Sequence, residues 1–272
     1  MPMKNKLPEK VNTAIIGGTG FESLFEEAKK IHVGTPYGIP PPIQIGVANS
    51  VKIAFLPRHG YTHAVPPHKV NYRANIYALH KIGVERVLAT NAVGAINLKF
   101  KPGDIAVPHD LVDLTKNRPS TFYDEAAVVH IDFTEPYCPQ IRKALIQKAK
   151  ENTPNVWERA VYVCTEGPRF ETPAEIRMFR TLGFDIVGMT GAPEATLARE
   201  LGMCYASLCF VSNMAAGITK KLSAREITET SKLIMPKIRK ILIEAVSYLP
   251  KARSCSCATS IVESRTEETR QC

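Results

Sequence analysis

Short apolar runs that end in glycine, threonine or asparagine recur along the chain, and most are followed by residues with helical spacing. Val11 to Ile16 is continuously apolar and stops at Gly17-Gly18-Thr19-Gly20, which predicts a buried strand entering a tight loop. Phe21 to Lys30 is expected to be helical. Val51 to Leu56 reads as a second strand, ending at Pro57-Arg58-His59-Gly60. Val70 to Ile82 reads as a helix, because the pairs Asn71/Asn75 and Ala74/Ala78 repeat with a period near four. Arg86 to Thr90 predicts a strand that stops in the small-residue loop Asn91-Ala92-Val93-Gly94-Ala95.

The second half repeats the scheme. Lys101-Pro102-Gly103-Asp104 has turn chemistry. Ile105 to Val107, Leu111 to Asp113 and Ala160 to Cys164 are short strands, and Pro139 to Ala149 is a helix. Thr172 is placed to cap a helix that starts at Pro173 and stops at Gly183. A strand at Ile186 to Thr190 and a helix from Pro193 to Glu200 follow. Met203 to Val211 is a central strand ending at Ser212-Asn213. Ser223 and Glu226 have capping-box spacing at the start of a last helix that reaches Tyr248, before Pro250.

This alternation predicts one α/β domain: a central mixed, largely parallel twisted sheet flanked by helices. The expected boundaries are a flexible N-terminus at 1–10, the domain at 11–249, and a polar, cysteine-containing tail at 250–272. Ligands of such sheets sit beyond the carboxyl ends of the strands. Six strand ends here carry Gly, Thr, Asn, Arg or His, and they are the candidate site.

Composition narrows the chemistry. Lys+Arg exceed Asp+Glu by 35 to 26, a net charge of +9, but the basic residues are scattered. That suits small anions better than nucleic acid, which wants a clustered basic stripe with aromatics. The basic N-terminus has no apolar core behind it, and no apolar run approaches a membrane span. The expectation is a cytoplasmic protein with no membrane or nucleic-acid partner. Seven cysteines are present, and none has a zinc spacing with histidine. Cys255 and Cys257 are either surface thiols or a disulfide, which a thermophile's cytoplasm would tolerate, although Cys-x-Cys closes a very small ring.

Residue chemistry at the strand ends points to an anion and a flat ring. The Gly17–Gly20 loop fits either an anion cradle or a plain tight turn. Arg58 offers a planar fork to phosphate, and His59 could add a donor. Thr19 and Thr190 supply hydroxyls, so Thr19, Arg58, His59 and Thr190 together could enclose one inorganic phosphate. Phe170 can stack on a ring, Met189 can floor a sugar, Glu171 can accept from a ring N–H, and Asn213 can both donate and accept at a purine edge. No metal cluster, G-x-S-x-G elbow or full dinucleotide fingerprint is present, which argues against magnesium-dependent phosphoryl transfer, serine hydrolysis and nicotinamide redox chemistry.

Several motifs in order resemble the trimeric purine nucleoside phosphorylase superfamily, and within it the 5'-methylthioadenosine phosphorylases. They are Ile16-Gly17-Gly18-Thr19-Gly20, Pro57-Arg58-His59-Gly60, Val70-Asn71-Tyr72-Arg73-Ala74-Asn75, Thr165-Glu166-Gly167-Pro168-Arg169-Phe170-Glu171 and Gly188-Met189-Thr190. The resemblance implies phosphate as co-substrate, no other cofactor and no metal, and a purine nucleoside as the small-molecule partner. Thr19, Arg58, His59, Asn91, Ala92 and Thr190 would hold phosphate. Phe170, Glu171, Met189, Asn213 and Ala215 would hold the nucleoside, with Asn213, His59 and Arg58 acting in catalysis. His130 looks like the histidine that reaches a neighbouring subunit's 5' pocket, which implies a homotrimer or a hexamer built from trimers. The base stays open. The wider likeness leans to methylthioadenosine and purine salvage, whereas Asn213 with Glu171, and Ala215 where an acid is usual, matches the pattern for inosine, guanosine or methylthioinosine.

Overall fold

The computed structural model describes residues 10–26, 28–124, 129–219 and 224–260. In chain order the first half contains β1 Thr13–Gly17, β2 Lys29–Ile31, β3 Ile43–Ala48, β4 Val51–Pro57, α1 Tyr72–Lys81, β5 Arg86–Ala95, β6 Ile105–Ala106 and β7 Asp110–Leu114. The second half contains α2 Pro139–Asn152, β8 Val156–Trp157, β9 Val161–Thr165, α3 Pro173–Thr181, β10 Ile186–Gly188, α4 Gly191–Glu200, β11 Cys204–Met214 and α5 Ala224–Tyr248. The strands form one mixed sheet in the order β2-β3-β4-β1-β5-β10-β9-β7, with β11, β6 and β8 branching from β5.

The centre of the sheet is parallel and covered on both faces, which is why β1 and β5 read as continuous apolar runs. β1 pairs with β4 and β5 in parallel, Thr13 opposite both Ile53 and Arg86. β5 runs parallel to β11 from Arg86↔Cys204 onward, and a register shift then brings Asn213 opposite Gly94. On its other side β5 changes partner. The β1 ladder ends at Ile16↔Ala89, and an antiparallel ladder to β10 begins at Gly94↔Val187. The sheet splits between these points, and Thr90 to Val93 form the floor of the split.

Helices cover the sheet as the pattern predicts. α2 and α5 pack on each other and on β11, while α1 packs on α4. Ile234, Ile238, Ile241, Leu242 and Ala245 repeat at helical spacing and are all buried on one face of α5. Full burial of each such Ile or Leu is worth roughly 1.5–3 kcal/mol. Thr172 caps α3 in a reciprocal box with Glu175. The Ser223 cap lies outside the described residues, as do residues 1–9 and 261–272.

Four expectations are corrected. Phe21 to Lys30 is not a helix. Phe21 and Leu24 are buried, the Leu24 N–H donates to the Gln44 side chain, and Lys29–Ile31 joins the sheet edge instead. Side-chain hydrogen bonds of this kind compete with helical ones. Asn91 to Ala95 is not a loop, because β11 and then β10 pair with it and extend β5. Likewise β11 continues through Asn213 to Met214. Cys257 is not the surface thiol that one reading allowed, being 1% exposed. Arg86 Nη2 donates to the Pro250 carbonyl at 2.9 Å, and Cys257 and Ser260 are buried.

Candidate active site

The split in the sheet opens into a cavity of about 560 Å³ at the carboxyl ends of β1, β4, β9 and β10. Its lining includes Thr19, Arg58, His59, Asn91, Ala92 and Thr190, and also Phe170, Glu171, Met189, Asn213 and Ala215. Residues expected from six separate strand ends therefore meet in one place. His130 lies outside this cavity and is exposed.

Arg58 follows β4 and is only 1% exposed. Its Nε and Nη2 donate to the two carboxylate oxygens of Glu194 at 2.5 and 2.8 Å, and Nη1 donates to the Thr90 carbonyl at 2.8 Å. Glu194 is 0% exposed and also accepts from the Tyr205 hydroxyl at 2.9 Å. Burial works against the guanidinium charge, and the Glu194 carboxylate outweighs it, pushing Arg58 up from its ordinary value. The bidentate face of Arg58 is thus engaged inside the protein. An anion is left the second N–H of Nη1 and of Nη2. Gly18 makes this close packing feasible, since a β-carbon there would stand 2.6 Å from the Thr90 carbonyl oxygen and 2.7 Å from Arg58 Nη1.

His59 differs from the donor expected of it. Its Nδ1 lies 2.7 Å from the Val65 carbonyl oxygen, which can only accept, so Nδ1 carries the proton. Burial, then the Arg58 charge, lowers its pKa to about 4. At neutral pH the ring is uncharged, and Nε2 is an acceptor. It is suited to a P–OH or a sugar hydroxyl rather than to a bare phosphate oxygen.

The hydroxyl side of the cavity is set by a relay. The Ser207 hydroxyl donates to Asn91 Oδ1 at 2.5 Å, and Asn91 Nδ2 donates to Thr190 Oγ1 at 2.8 Å. Asn91 therefore orients Thr190, whose own hydroxyl hydrogen remains to donate to a ligand. Thr190 is also the residue before α4, whose positive N-terminal end favours an anion.

Two further polar groups of the cavity are fixed by hydrogen bonds. Glu171 is buried, and its Oε1 accepts from Thr165 Oγ1 at 2.7 Å, which fixes the carboxylate and leaves Oε2 as acceptor. Asn213 Oδ1 accepts from the Ser212 hydroxyl at 2.7 Å, and Nδ2 donates to the Met214 carbonyl at 2.8 Å. These bonds set the amide orientation, with one N–H left over. Phe170 is 45% exposed and borders the cavity, as a ring that stacks only when a ligand arrives would be. Val65, Pro66, Pro67 and Ile227 of α5 add an apolar wall.

Sequence reading missed the residues that hold these groups in place. Glu194 stands in the first turn of α4, where an acid suits the helix dipole and carries no further signal. Arg118 donates to the Met189 carbonyl at 2.5 Å and the Glu166 carbonyl at 2.5 Å, tying together the ends of β9 and β10. Between Asn117 and Pro119, Arg118 carries no local signal that sets it apart from a surface residue.

Residues 12–247 match the phosphorylase superfamily. The chain is 49% identical over 257 residues to the 6-oxopurine nucleoside phosphorylase of Pyrococcus furiosus, covering 91% of this chain and 97% of that one. It is 48% identical over 245 residues to the S-methyl-5'-thioadenosine phosphorylase of Pyrococcus horikoshii, covering 90% and 95%. Among solved structures it superposes on methylthioadenosine phosphorylase from Schistosoma mansoni in complex with adenine, with a TM-score of 0.90 at 33% identity, over 95% of this chain and 100% of that one. Among the described residues no helix is long and apolar enough to cross a membrane. With the fold, the cavity and these relatives in agreement, the chain belongs to the phosphorylase superfamily and is a pentosyltransferase enzyme.

Proposed function

We propose that this enzyme uses inorganic phosphate to break the N-glycosidic bond of a 6-oxopurine nucleoside, releasing the base and a pentose 1-phosphate. The observation that carries the choice of base is the pairing of Glu171 with Asn213 in one cavity. A 6-oxopurine presents N1–H to a carboxylate and O6 or N7 to an amide N–H. Adenine offers a lone pair at N1, which would face the fixed Glu171 carboxylate without a hydrogen.

Phosphate sits among Thr19, Arg58, His59, the Ala92 backbone and Thr190, beneath the anomeric carbon. As the glycosidic bond stretches, positive charge grows on the sugar and is stabilised by the phosphate anion. Negative charge moves onto the base, and Asn213 steadies it through the purine edge. The protein contributes placement, with Arg58 held by Glu194 and Thr190 by Asn91, more than covalent chemistry. The apolar wall of Val65, Pro66, Pro67 and Ile227 suits a 5' substituent such as a methylthio group. It is also the observation that favours a second reading, methylthioadenosine, alongside the relative that carries that name. The reading includes an oligomer in which His130 of one copy reaches the 5' end of the nucleoside in another.

Initial rates with inosine, guanosine, methylthioinosine and methylthioadenosine, each with and without phosphate, test this. The 6-oxopurine substrates should exceed the adenine one by about a hundredfold or more in kcat/KM, since the site would leave buried polar groups unpaired around adenine. A higher kcat/KM for methylthioadenosine than for methylthioinosine would overturn the choice of base.

A further inference from the structure

Four cysteines from three distant parts of the chain meet at the amino end of β11, away from the cavity. Cys138 immediately precedes α2, Cys204 opens β11, and Cys255 and Cys257 follow α5. Their sulfur atoms all lie within 4.8 Å of one another, with Cys204 Sγ 3.4 Å from Cys255 Sγ. All four are free thiols; Cys138, Cys204 and Cys257 are buried and Cys255 is half-buried. Their spacing in sequence matches no zinc motif, because the fold and not the local chain brings them together.

The geometry distinguishes two chemistries. A disulfide requires sulfurs about 2.05 Å apart. A tetrahedral set of thiolates, each about 2.3 Å from a central ion, places its sulfurs about 3.8 Å apart. Cys204 and Cys255 are 3.4 Å apart, beyond a disulfide bond, and the upper limit of 4.8 Å on every separation in the cluster accommodates the second spacing. Bridging Cys255 to Cys257 would close a very small ring.

The surrounding structure holds this arrangement in place. Arg253 Nη1 donates to the Gly202 carbonyl at 2.9 Å, Gln140 Nε2 donates to Ser254 Oγ at 2.9 Å, and the Ser254 N–H donates to Gln140 Oε1 at 3.1 Å. The segment that carries Cys255 and Cys257 is thereby fixed to the start of α2 and to the turn before β11.

We propose that Cys138, Cys204, Cys255 and Cys257 form a tetrathiolate site for one soft divalent cation of the zinc class, which fastens the segment after α5 to the body of the domain. On binding, four thiol protons pass to solvent, the ion sheds its water ligands, and four sulfur–metal bonds form. No electron is transferred. The site lies at one end of β11 and Asn213 near the other, about 30 Å apart at the usual rise of a strand. Its role is structural, and the phosphorolysis chemistry does not depend on it.

The test uses the full chain, purified under reductant in buffers treated to remove metal, after expression with zinc present. Elemental analysis should find about one zinc per chain. Replacement by cobalt(II) should give the strong thiolate-to-cobalt charge-transfer band and the visible bands of a tetrahedral sulfur site. Cys255→Ser should remove the zinc and those bands and lower the thermal midpoint, leaving kcat unchanged at moderate temperature. The wild-type metal content and cobalt spectrum do not depend on whether the variant folds. Four titratable thiols without zinc, or a mass short by four hydrogens from two disulfides, would overturn the proposal.

Discussion

The neutral, buried His59 makes the stability of the phosphate-free enzyme depend on acid in a calculable way. Its pKa falls from 6.5 to about 4 on folding, because burial, and then Arg58, disfavour the imidazolium. A depressed histidine means that the unfolded chain binds the proton first as pH falls. Stability from this group is full above the unfolded value, declines as pH drops through 6.5, and is fully lost near 4. Between pH 7 and pH 5 the loss from this residue alone is about 2 kcal/mol. His59→Asn keeps an amide N–H for the Val65 carbonyl and removes the titration. Guanidinium denaturation of both proteins at pH 7 and pH 5, in phosphate-free buffer, isolates the effect from the other acid-titrating groups. The wild type should lose about 2 kcal/mol more than the variant over that interval. Saturating phosphate should shrink the difference, since an anion beside His59 favours its charged form. Equal losses in the two proteins would refute the assignment of His59 as a neutral acceptor.

Other consequences follow from the same contacts. Glu194→Gln leaves the buried Arg58 without its counter-charge and should cost roughly 3–5 kcal/mol in unfolding free energy. The surviving enzyme should show a raised KM for phosphate with little change in KM for the nucleoside, in steady-state assays with each substrate varied. Gly18→Ala should impair phosphate use by at least about tenfold in kcat/KM, because the added methyl collides with the Thr90 carbonyl and displaces Arg58. Its circular dichroism should remain native. Asn213→Asp should shift preference towards the 6-amino base, read as a rise of the methylthioadenosine to methylthioinosine ratio of kcat/KM. Removing Asn213's spare donor costs about 1.5–3 kcal/mol on the 6-oxo side.

The frame and the cavity-lining residues were legible in the sequence, for a common physical reason. Buried parallel strands are apolar throughout and end abruptly, so Ile16, Leu56 and Cys164 marked their own termini. The residues placed just beyond them, Thr19, Arg58, His59 and Glu171, had no local structural duty that explained their identity. Phe21 to Lys30 reads as a helix because the buried Phe21 and Leu24 and the partly buried Phe25, at helical spacing, look alike whether they form one face or fill separate gaps. The continuation of β5 through Asn91–Ala95 depended on partners 90 to 120 residues away, which a local pattern cannot report. The same distance hid Glu194, whose importance lies in an Arg58 contact spanning 136 residues. It also hid the joining of Cys138 and Cys204 to Cys255 and Cys257. His59 shows a subtler limit: its position was readable, but its protonation follows from burial and from Val65.

The central claim is that phosphate, not water, takes the sugar. Phosphorus NMR of the full-length enzyme incubated with inosine and inorganic phosphate reads this directly. A new sugar 1-phosphate resonance should grow in step with the loss of inorganic phosphate and the release of hypoxanthine, and no base should be released when phosphate is omitted. Base release with free ribose and an undiminished phosphate signal would contradict the account.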